Sequence, residues 1–501
     1  MSTRDALANA HHIRALADVS PLAIAALTRH LLAVLHRAYD GPRSMKEWAA
    51  IASSGAFEAA KVHAYLDSVE DRMDLFHPTR PFAQTRGLLA QFSDYLTPID
   101  ELEVARARWG GARELFQHRP ASISPSMSPR RAARALLAYH AFATGGLVRK
   151  PGEPTAATAA PLVRGAVIVV RGRTLFETLA ANLLKYGDSE PVPTGGARDA
   201  CAWEQEPPPT ELRLSSEPKY PPLGYLDLLT RLSRRVELVH DEGTVTHFVN
   251  AVWQGLPDAA PRDPMLAYRR HEKLGWLPIG VDVDRAFWRS SAALFEAARS
   301  DSSAFERPHA IDLVASNEAV ETLGSVTFDI EVLGMAAEKS RIDAVRAERV
   351  QAQGRCFNDP EAASAVREAI RVAEQSVSSL SAALFRYARV ALAPGERDPA
   401  TDDVRALADS FGAAPAAWSG LGVVFDHFMR RLADDPQDAL EEFQREATRV
   451  VTGVFHNATE RTETTGRWLK ARALAEQSFR AALSRLTAST TPASTVGDSL
   501  T

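Results

Sequence analysis

The last third of the chain carries the pattern that most limits the fold. From about Asp359, four stretches (residues 360–392, 415–432, 438–456 and 465–486) are long, alanine-rich and amphipathic, with short polar breaks and no strand signal. Apolar residues recurring at three- and four-residue intervals give each helix one apolar stripe, which must be covered by another element. Four such helices on short connections predict an antiparallel bundle. Asp359 or Asn358 is the natural N-cap of the first, just ahead of Pro360.

A chain of 501 residues is too long for one core. The remainder reads differently from the bundle. Ser20 followed by Pro21 opens a helix over 21–39, and Ser128-Pro129 opens another that runs to about 144, where Gly145-Gly146 stops it. Residues 162–170 are rich in β-branched side chains and predict a short hairpin or edge pair. Helical spacing returns over 174–184. Residues 186–222 are rich in Pro, Gly and Glu and predict a long irregular connection. Helix-like and strand-like pieces alternate from there to about residue 350. The expected fold class is α+β: a mixed, irregular N-terminal domain over 1–357, a mainly α C-terminal four-helix bundle over 358–487, and a disordered Ser/Thr-rich tail over 488–501.

Composition narrows the function. Net charge is −5, so the surface is not uniformly basic, although local basic patches remain possible. A nucleic-acid protein of this charge is expected to bind weakly alone and to borrow affinity from partners. Cys201 and Cys356 are the only cysteines, too few for a disulfide framework or a four-cysteine zinc site. No uncharged apolar window spans a membrane and no secretory signal opens the chain, so the expected compartment is the cytoplasm. The histidines form no metal-binding or catalytic spacing, and Gly195-Gly196 lacks the lysine ending of a phosphate loop. No catalytic residue, metal or cofactor is therefore expected. Asp71, Asp74 and His77 sit beside Pro78 and Pro81, which reads as capping of a rigid turn. The alternative is an acid–base pair in a helical hydrolase.

The stretch Asp71-Arg-Met-Asp-Leu-Phe-His-Pro-Thr-Arg-Pro-Phe-Ala-Gln84 resembles a signature of the CasA family, the large subunit of the type I-E CRISPR Cascade surveillance complex. Further blocks resemble the family in the same order. These are Leu115-Phe116-Gln117-His118 after Gly110-Gly111, Pro161 to Gly165, Gly172 to Leu179 with Asn182, Trp203-Glu204, Pro222 to Thr230 with Arg234-Arg235, and Asp263-Pro264-Met265 with Ala267-Tyr268-Arg269. They cover roughly residues 70–345. Family members usually begin with a short β-stretch containing Pro-Trp, whereas this chain starts almost at a helix. Arg231 stands where a Trp is common, and the cysteine pairs of some members are missing.

The resemblance implies a non-catalytic subunit that recognises a protospacer-adjacent motif (PAM) in double-stranded DNA, wedges the strands apart to start the R-loop and helps recruit a helicase-nuclease in antiviral defence. Its implied partners are crRNA, target DNA, the backbone, small and crRNA 5′-end subunits, and the helicase-nuclease. The family's wedge resembles Gly-x-x-x-Asp/Asn-Gln-Ala-x-Ile/Val, matched by Gly334 to Ile342, so that Glu338, Lys339 and Ser340 form the tip and Lys339 replaces a glutamine. Read locally, Glu338, Lys339 and Arg341 are equally the solvated start of a helix. Arg269 and Arg270, near His271 and Lys273, align with a basic pair near the PAM duplex. Lys150 and Gly152 align with a glycine-rich loop, where Glu153 would repel phosphate. Phe116, Gln117, His118 and Arg119 align with a loop that docks on the crRNA 5′ end. A basic set on the bundle (Arg367, Arg371, Arg386, Arg389, Arg461, Arg467, Lys470, Arg472 and Arg480) is mostly solvated surface, with some members available to the displaced strand or to partners. A scaffold without DNA readout is the remaining alternative.

Overall fold

The computed structural model describes residues 1–104, 125–148, 150–154, 156–187, 198–210, 216–257, 260–295, 303–323, 327–393, 398–460 and 465–488. It divides into two compact units, Met1–Asn358 and Asp359–Thr501.

The first unit is α+β and is organised around the helix Pro21–Tyr39, thirteen of whose residues are buried. Pro21 fixes its first turn. Ser20 occupies the N-cap without a side-chain bond, and Asp40 ends the helix in the left-handed region at φ 49°. The helix packs against Pro129–Phe142, which stops at Phe142, before the glycines. Gly146 instead opens a two-residue strand paired with Ala156–Ala157.

Three sheets complete the unit. One has the order Thr97–Pro98, Thr244–Val252, Arg234–Asp241. A second has the order Arg341–Gln353, Thr327–Glu338, Val167–Arg171. The third sets Tyr268–His271 between Gly275–Pro278 and Phe305–Glu306. The segment 162–170 is thus not a hairpin. Val167–Arg171 is one strand, and its long ladder partner lies some 160 residues later in the chain. Four of its five residues are buried, which explains the β-branched run.

The second unit is helical: Pro360–Leu392, Ala413–Arg431, Pro436–Glu460 and Gly466–Ala488, with an additional short helix, Thr401–Ser410. The Asp359 carboxylate accepts the Glu361 N–H at 2.9 Å, capping the first helix ahead of Pro360. Phe425, Phe428 and Phe443 pack with ring centroids 5.5–6.2 Å apart at its centre. Helical order reaches Ala488, and residues 489–501 lie outside the described residues.

Candidate nucleic-acid interface

Strands Thr327–Glu338 and Arg341–Gln353 pair continuously down to Glu338↔Arg341, leaving Lys339–Ser340 as a two-residue turn. The segment is therefore a hairpin tip and not the start of a helix. Lys339 has φ 56°. A positive φ at the first central position matches the twist of two-residue hairpins, and glycine usually supplies it. Glu338, Lys339 and Ser340 are all exposed. The register shifts beside Ala336/Ala337, leaving Asp343 as the unpaired bulge residue. Arg341 lies between two carboxylates, 3.1 Å from Glu338 and 2.7 Å from Asp343. Among the described residues the Lys339 ammonium has no ion pair, so it is the unneutralised cation of the tip.

The base of the hairpin is buried. Glu331 to Met335 are all buried, and Leu333 pairs with Val167. A Cβ on Gly334 would lie only 3.2 Å from Ala166 Cα, so the glycine allows the strand to pass this close. On its other side Val167 bridges antiparallel to Leu266, three residues before Arg269. Both neighbours run antiparallel to the Val167 strand, so they run parallel to each other. Lys339 and Arg269 then lie beyond the same end of this row, six and three residues on. At ~3.3 Å per residue and ~4.8 Å per strand spacing, their backbones are roughly 15 Å apart.

Arg269 and Arg270 are both exposed, but they are successive residues of one strand and point to opposite faces. Arg270 shares its face with its cross-strand partner Trp276, whose ring lies 5.4 Å from the Arg262 guanidinium carbon. Arg269 lies across from Leu277 and Phe305. The two arginines therefore do not act as a side-by-side pair. His271 caps the adjoining turn, its Nδ1 accepting the N–H groups of Lys273 and Leu274, each at 3.2 Å.

The 150–154 loop is turned inward at both ends. Lys150 Nζ donates to Asn250 Oδ1 at 2.7 Å and sits 5.8 Å from the Phe92 ring centre. Burial pushes its pKa down to about 8. Glu153 is paired with Arg235, with 2% and 0% of their side chains exposed. Its carboxylate is thus hidden from any approaching phosphate, contrary to the repulsion expected from sequence. Gly146, at the base of this hairpin, lies next to the Lys339–Ser340 turn: a Cβ there would stand 3.8 Å from Ser340 Cβ. Phe116, Gln117, His118 and Arg119 lie outside the described residues.

The 71–84 signature is structural. Asp74 Oδ1 accepts the Phe76 N–H at 2.9 Å, and His77 Nδ1 accepts those of Thr79 and Arg80 at 3.3 and 3.0 Å. Buried Gln84 donates to the Leu75 carbonyl and accepts from the Leu238 N–H, both at 2.8 Å. Among the described residues no cluster of three His, Cys, Asp or Glu could hold a metal, and no helix is long and apolar enough to cross a membrane.

A family model for CRISPR-associated protein Cse1 matches residues 1–454. CRISPR-associated protein CasA/Cse1 of Thermus thermophilus is 32% identical over 494 residues, 96% of this chain and 93% of that protein. The chain belongs to the Cse1/CasA family. A crystal structure of Thermus thermophilus CasA superposes with a TM-score of 0.80 over 97% of this chain and 95% of that one, at 28% identity. A chain of a CRISPR RNA-guided surveillance complex, 20% identical, shares the fold at a TM-score of 0.73 over 95% of this chain and 94% of that one.

Several Cse1/CasA sequence blocks fall on internal braces. Asp263 pairs with Arg29 at 2.8 Å with both side chains buried. Glu204 accepts from Arg37 at 2.8 Å and from Tyr65 at 2.9 Å. On the bundle, Arg371, Arg389, Arg472 and Arg480 are ion-paired with Glu368, Asp398, Glu460 and Glu476, whereas Arg461 lies outside the described residues.

Proposed function

We propose that this chain is the large subunit of a crRNA-guided type I-E surveillance complex. In this reading it recognises the PAM in double-stranded DNA and starts the R-loop without breaking any bond itself. The observation that carries it is an exposed, positive-φ turn with a free lysine at the end of a ladder whose base is buried. A wedge needs that stiffness, because unstacking costs a few kcal/mol per base step and a soft tip would bend instead. The relative found in a CRISPR RNA-guided surveillance complex supports crRNA and other subunits as partners.

Lys339 enters between the strands or beside them. An ammonium only donates hydrogen bonds, so it pairs with phosphate or with minor-groove acceptors and cannot receive a bond from a base edge. Arg269 reaches toward the narrow minor groove, where negative potential is enhanced. Pairing with the guide supplies sequence specificity, by analogy with other RNA-guided effectors. Phe116 to Arg119 dock the chain on the crRNA end, and the exposed cations Arg367, Arg386, Arg467 and Lys470 are available to the displaced strand or the helicase-nuclease.

The test is duplex binding by the reconstituted complex over a series of PAM variants. Lys339→Ala and Arg269→Ala are each expected to weaken binding about tenfold and to lower the log–log salt slope by roughly 1, with complex assembly intact. Unchanged affinity across PAM variants would make the chain a scaffold without DNA readout.

A further inference from the structure

Among the described residues, strand Arg341–Gln353 is at the edge of its sheet, with Thr327–Glu338 on one side only. Below the Lys339–Ser340 turn, Arg346 stands opposite Gly334 and Glu348 opposite Val332. Residues two apart on a strand share a face, and these two side chains meet at 3.4 Å. Both also reach one segment outside the sheet. The Arg346 guanidinium donates to the Val283 carbonyl, and the Glu348 carboxylate accepts the Phe287 N–H at 2.6 Å. Phe287 is 2% exposed and opens a short 3-10 helix, Phe287–Ser290, so its N–H is one that the helix itself leaves without a partner. The other face of the hairpin is tied within the sheet, where Glu331 accepts from Arg171 at 2.9 Å and from Arg349 at 3.4 Å.

The gripped segment is the continuation of the hairpin that carries Arg269. Ile279 follows directly on strand Gly275–Pro278, which pairs with Tyr268–His271. Its N–H donates to the Ala267 carbonyl at 2.8 Å, and its carbonyl accepts the Ala166 N–H at 2.9 Å. A Cβ on Gly280 would lie 2.8 Å from the Arg164 carbonyl oxygen, so glycine lets the chain run this close. Asp282 Oδ1 then accepts the N–H groups of Asp284 at 2.8 Å and Arg285 at 3.2 Å, closing a turn that leads into Phe287. The Arg269 hairpin therefore runs through bonded residues into the segment that Arg346 and Glu348 hold. Hydrogen bonds to ionised groups are roughly twice as strong as neutral ones. With side chains 30% and 18% exposed, this pair is also partly shielded from salt.

We infer that Arg346 and Glu348 fasten the Val283–Phe287 segment as a strut between the two hairpins, so that the Arg269 hairpin and the Lys339–Ser340 turn move as one body. Both are positioning residues, and neither touches DNA. The functional side of this inference rests on the DNA-opening reading above. There, the strut lets a grip on the duplex by one hairpin drive strand separation by the other, where an untied edge strand would lean away under load.

Two measurements test the strut separately from that reading. In the intact free chain, spin labels at Lys273→Cys and Lys339→Cys report the distance between the two turns, while Cys201 and Cys356 are buried and stay unlabelled. The distance distribution is expected to broaden in Arg346→Met and in Glu348→Ala. Glu348→Gln, which can still accept the Phe287 N–H, should keep it narrow. An unchanged distribution in Arg346→Met would overturn the strut whatever the chain does with DNA. That variant keeps the apolar stem of a part-exposed side chain, so it decides the matter if Glu348→Ala does not fold. In the second measurement, the reconstituted complex is mixed with a guide-matched duplex whose PAM comes from randomised selection and whose first target pair carries 2-aminopurine. With Arg346→Met the maximal opening rate is expected to fall about five- to tenfold, while the complex concentration giving half that rate changes less than about twofold. A loss confined to that concentration would make Arg346 a DNA contact and overturn its positioning role. If the unsubstituted complex opens no duplex, the DNA-opening reading fails instead, and the spin labels still decide whether the strut exists.

Discussion

Substituting Gln84 by alanine should remove more stability than substituting Asp74, the exposed turn-capping carboxylate of the 71–84 signature. Strand Arg234–Asp241 is at the edge of its sheet, with Thr244–Val252 on one side only. On the open side, the Thr85 N–H donates to the Val236 carbonyl at 2.8 Å and Gln84 Oε1 accepts the Leu238 N–H at 2.8 Å, so residues 84–85 imitate a neighbouring strand. Gln84→Ala leaves the Leu238 N–H and the Leu75 carbonyl without these partners. An orphaned buried backbone group costs about 1–3 kcal/mol, which for the two together gives roughly 3 kcal/mol. The unit Met1–Asn358 should have an unfolding entropy near 0.75 kcal/mol per kelvin, at about 2.1 cal/mol/K per residue. The expected fall in Tm is therefore about 4 °C. Asp74→Ala, which removes one exposed bond to the Phe76 N–H, should cost about 1 kcal/mol and little more than 1 °C. Calorimetry on the intact chain reads both. A Gln84→Ala shift no larger than that of Asp74→Ala would refute the edge-covering role.

Acid should weaken the first unit through three buried histidines. Burial holds His30 at about 4, His36 at about 3 and His140 at about 4, below the ordinary value of 6.5. The unfolded chain therefore takes up protons first. Their contribution is fully present above pH 6.5 and is lost as pH falls from 6.5 toward 4, at about 1.4 kcal/mol per unit for each group. A Tm that stays flat between pH 6.5 and 4.5 would contradict this. At the hairpin tip, Lys339→Gly should leave the Tm within about 1 °C while still weakening duplex binding, because glycine accepts the positive φ at no steric cost. Lys339→Val should destabilise the turn by at least about 1 kcal/mol, seen as faster hydrogen exchange at the strand ends. In the bundle, Phe443→Ala should cost about 3–5 kcal/mol in a denaturant titration, since the ring is 1% exposed and packs on Phe425 and Phe428.

The bundle was legible because each long helix announces its buried stripe within its own sequence. Thr401–Ser410 was missed for the same reason, since Val404 is its only buried residue and one apolar position sets no period. The strand Val167–Arg171 was readable as β-structure, but its partner was not, because nothing local encodes a register with a segment 160 residues away. The two hairpin turns make a useful contrast. Glu242-Gly243, with φ values of 45° and 76°, carries the glycine that marks a turn. Lys339-Ser340 carries no such mark, and only the family resemblance placed a tip there. The inward course of Lys150 and Glu153 was hidden because their partners, Asn250 and Arg235, lie 100 and 82 residues further on.

The tip carries as many negative as positive groups. Glu338 and Asp343 balance Lys339 and Arg341, so the fingertip sums to zero. The field of such a quadruplet decays much faster than that of a net charge, and salt shortens it further. A duplex drifting past therefore feels almost no pull from the hairpin until the two are in contact. Under the proposed DNA-opening role, the tip therefore adds little long-range pull on random sequence.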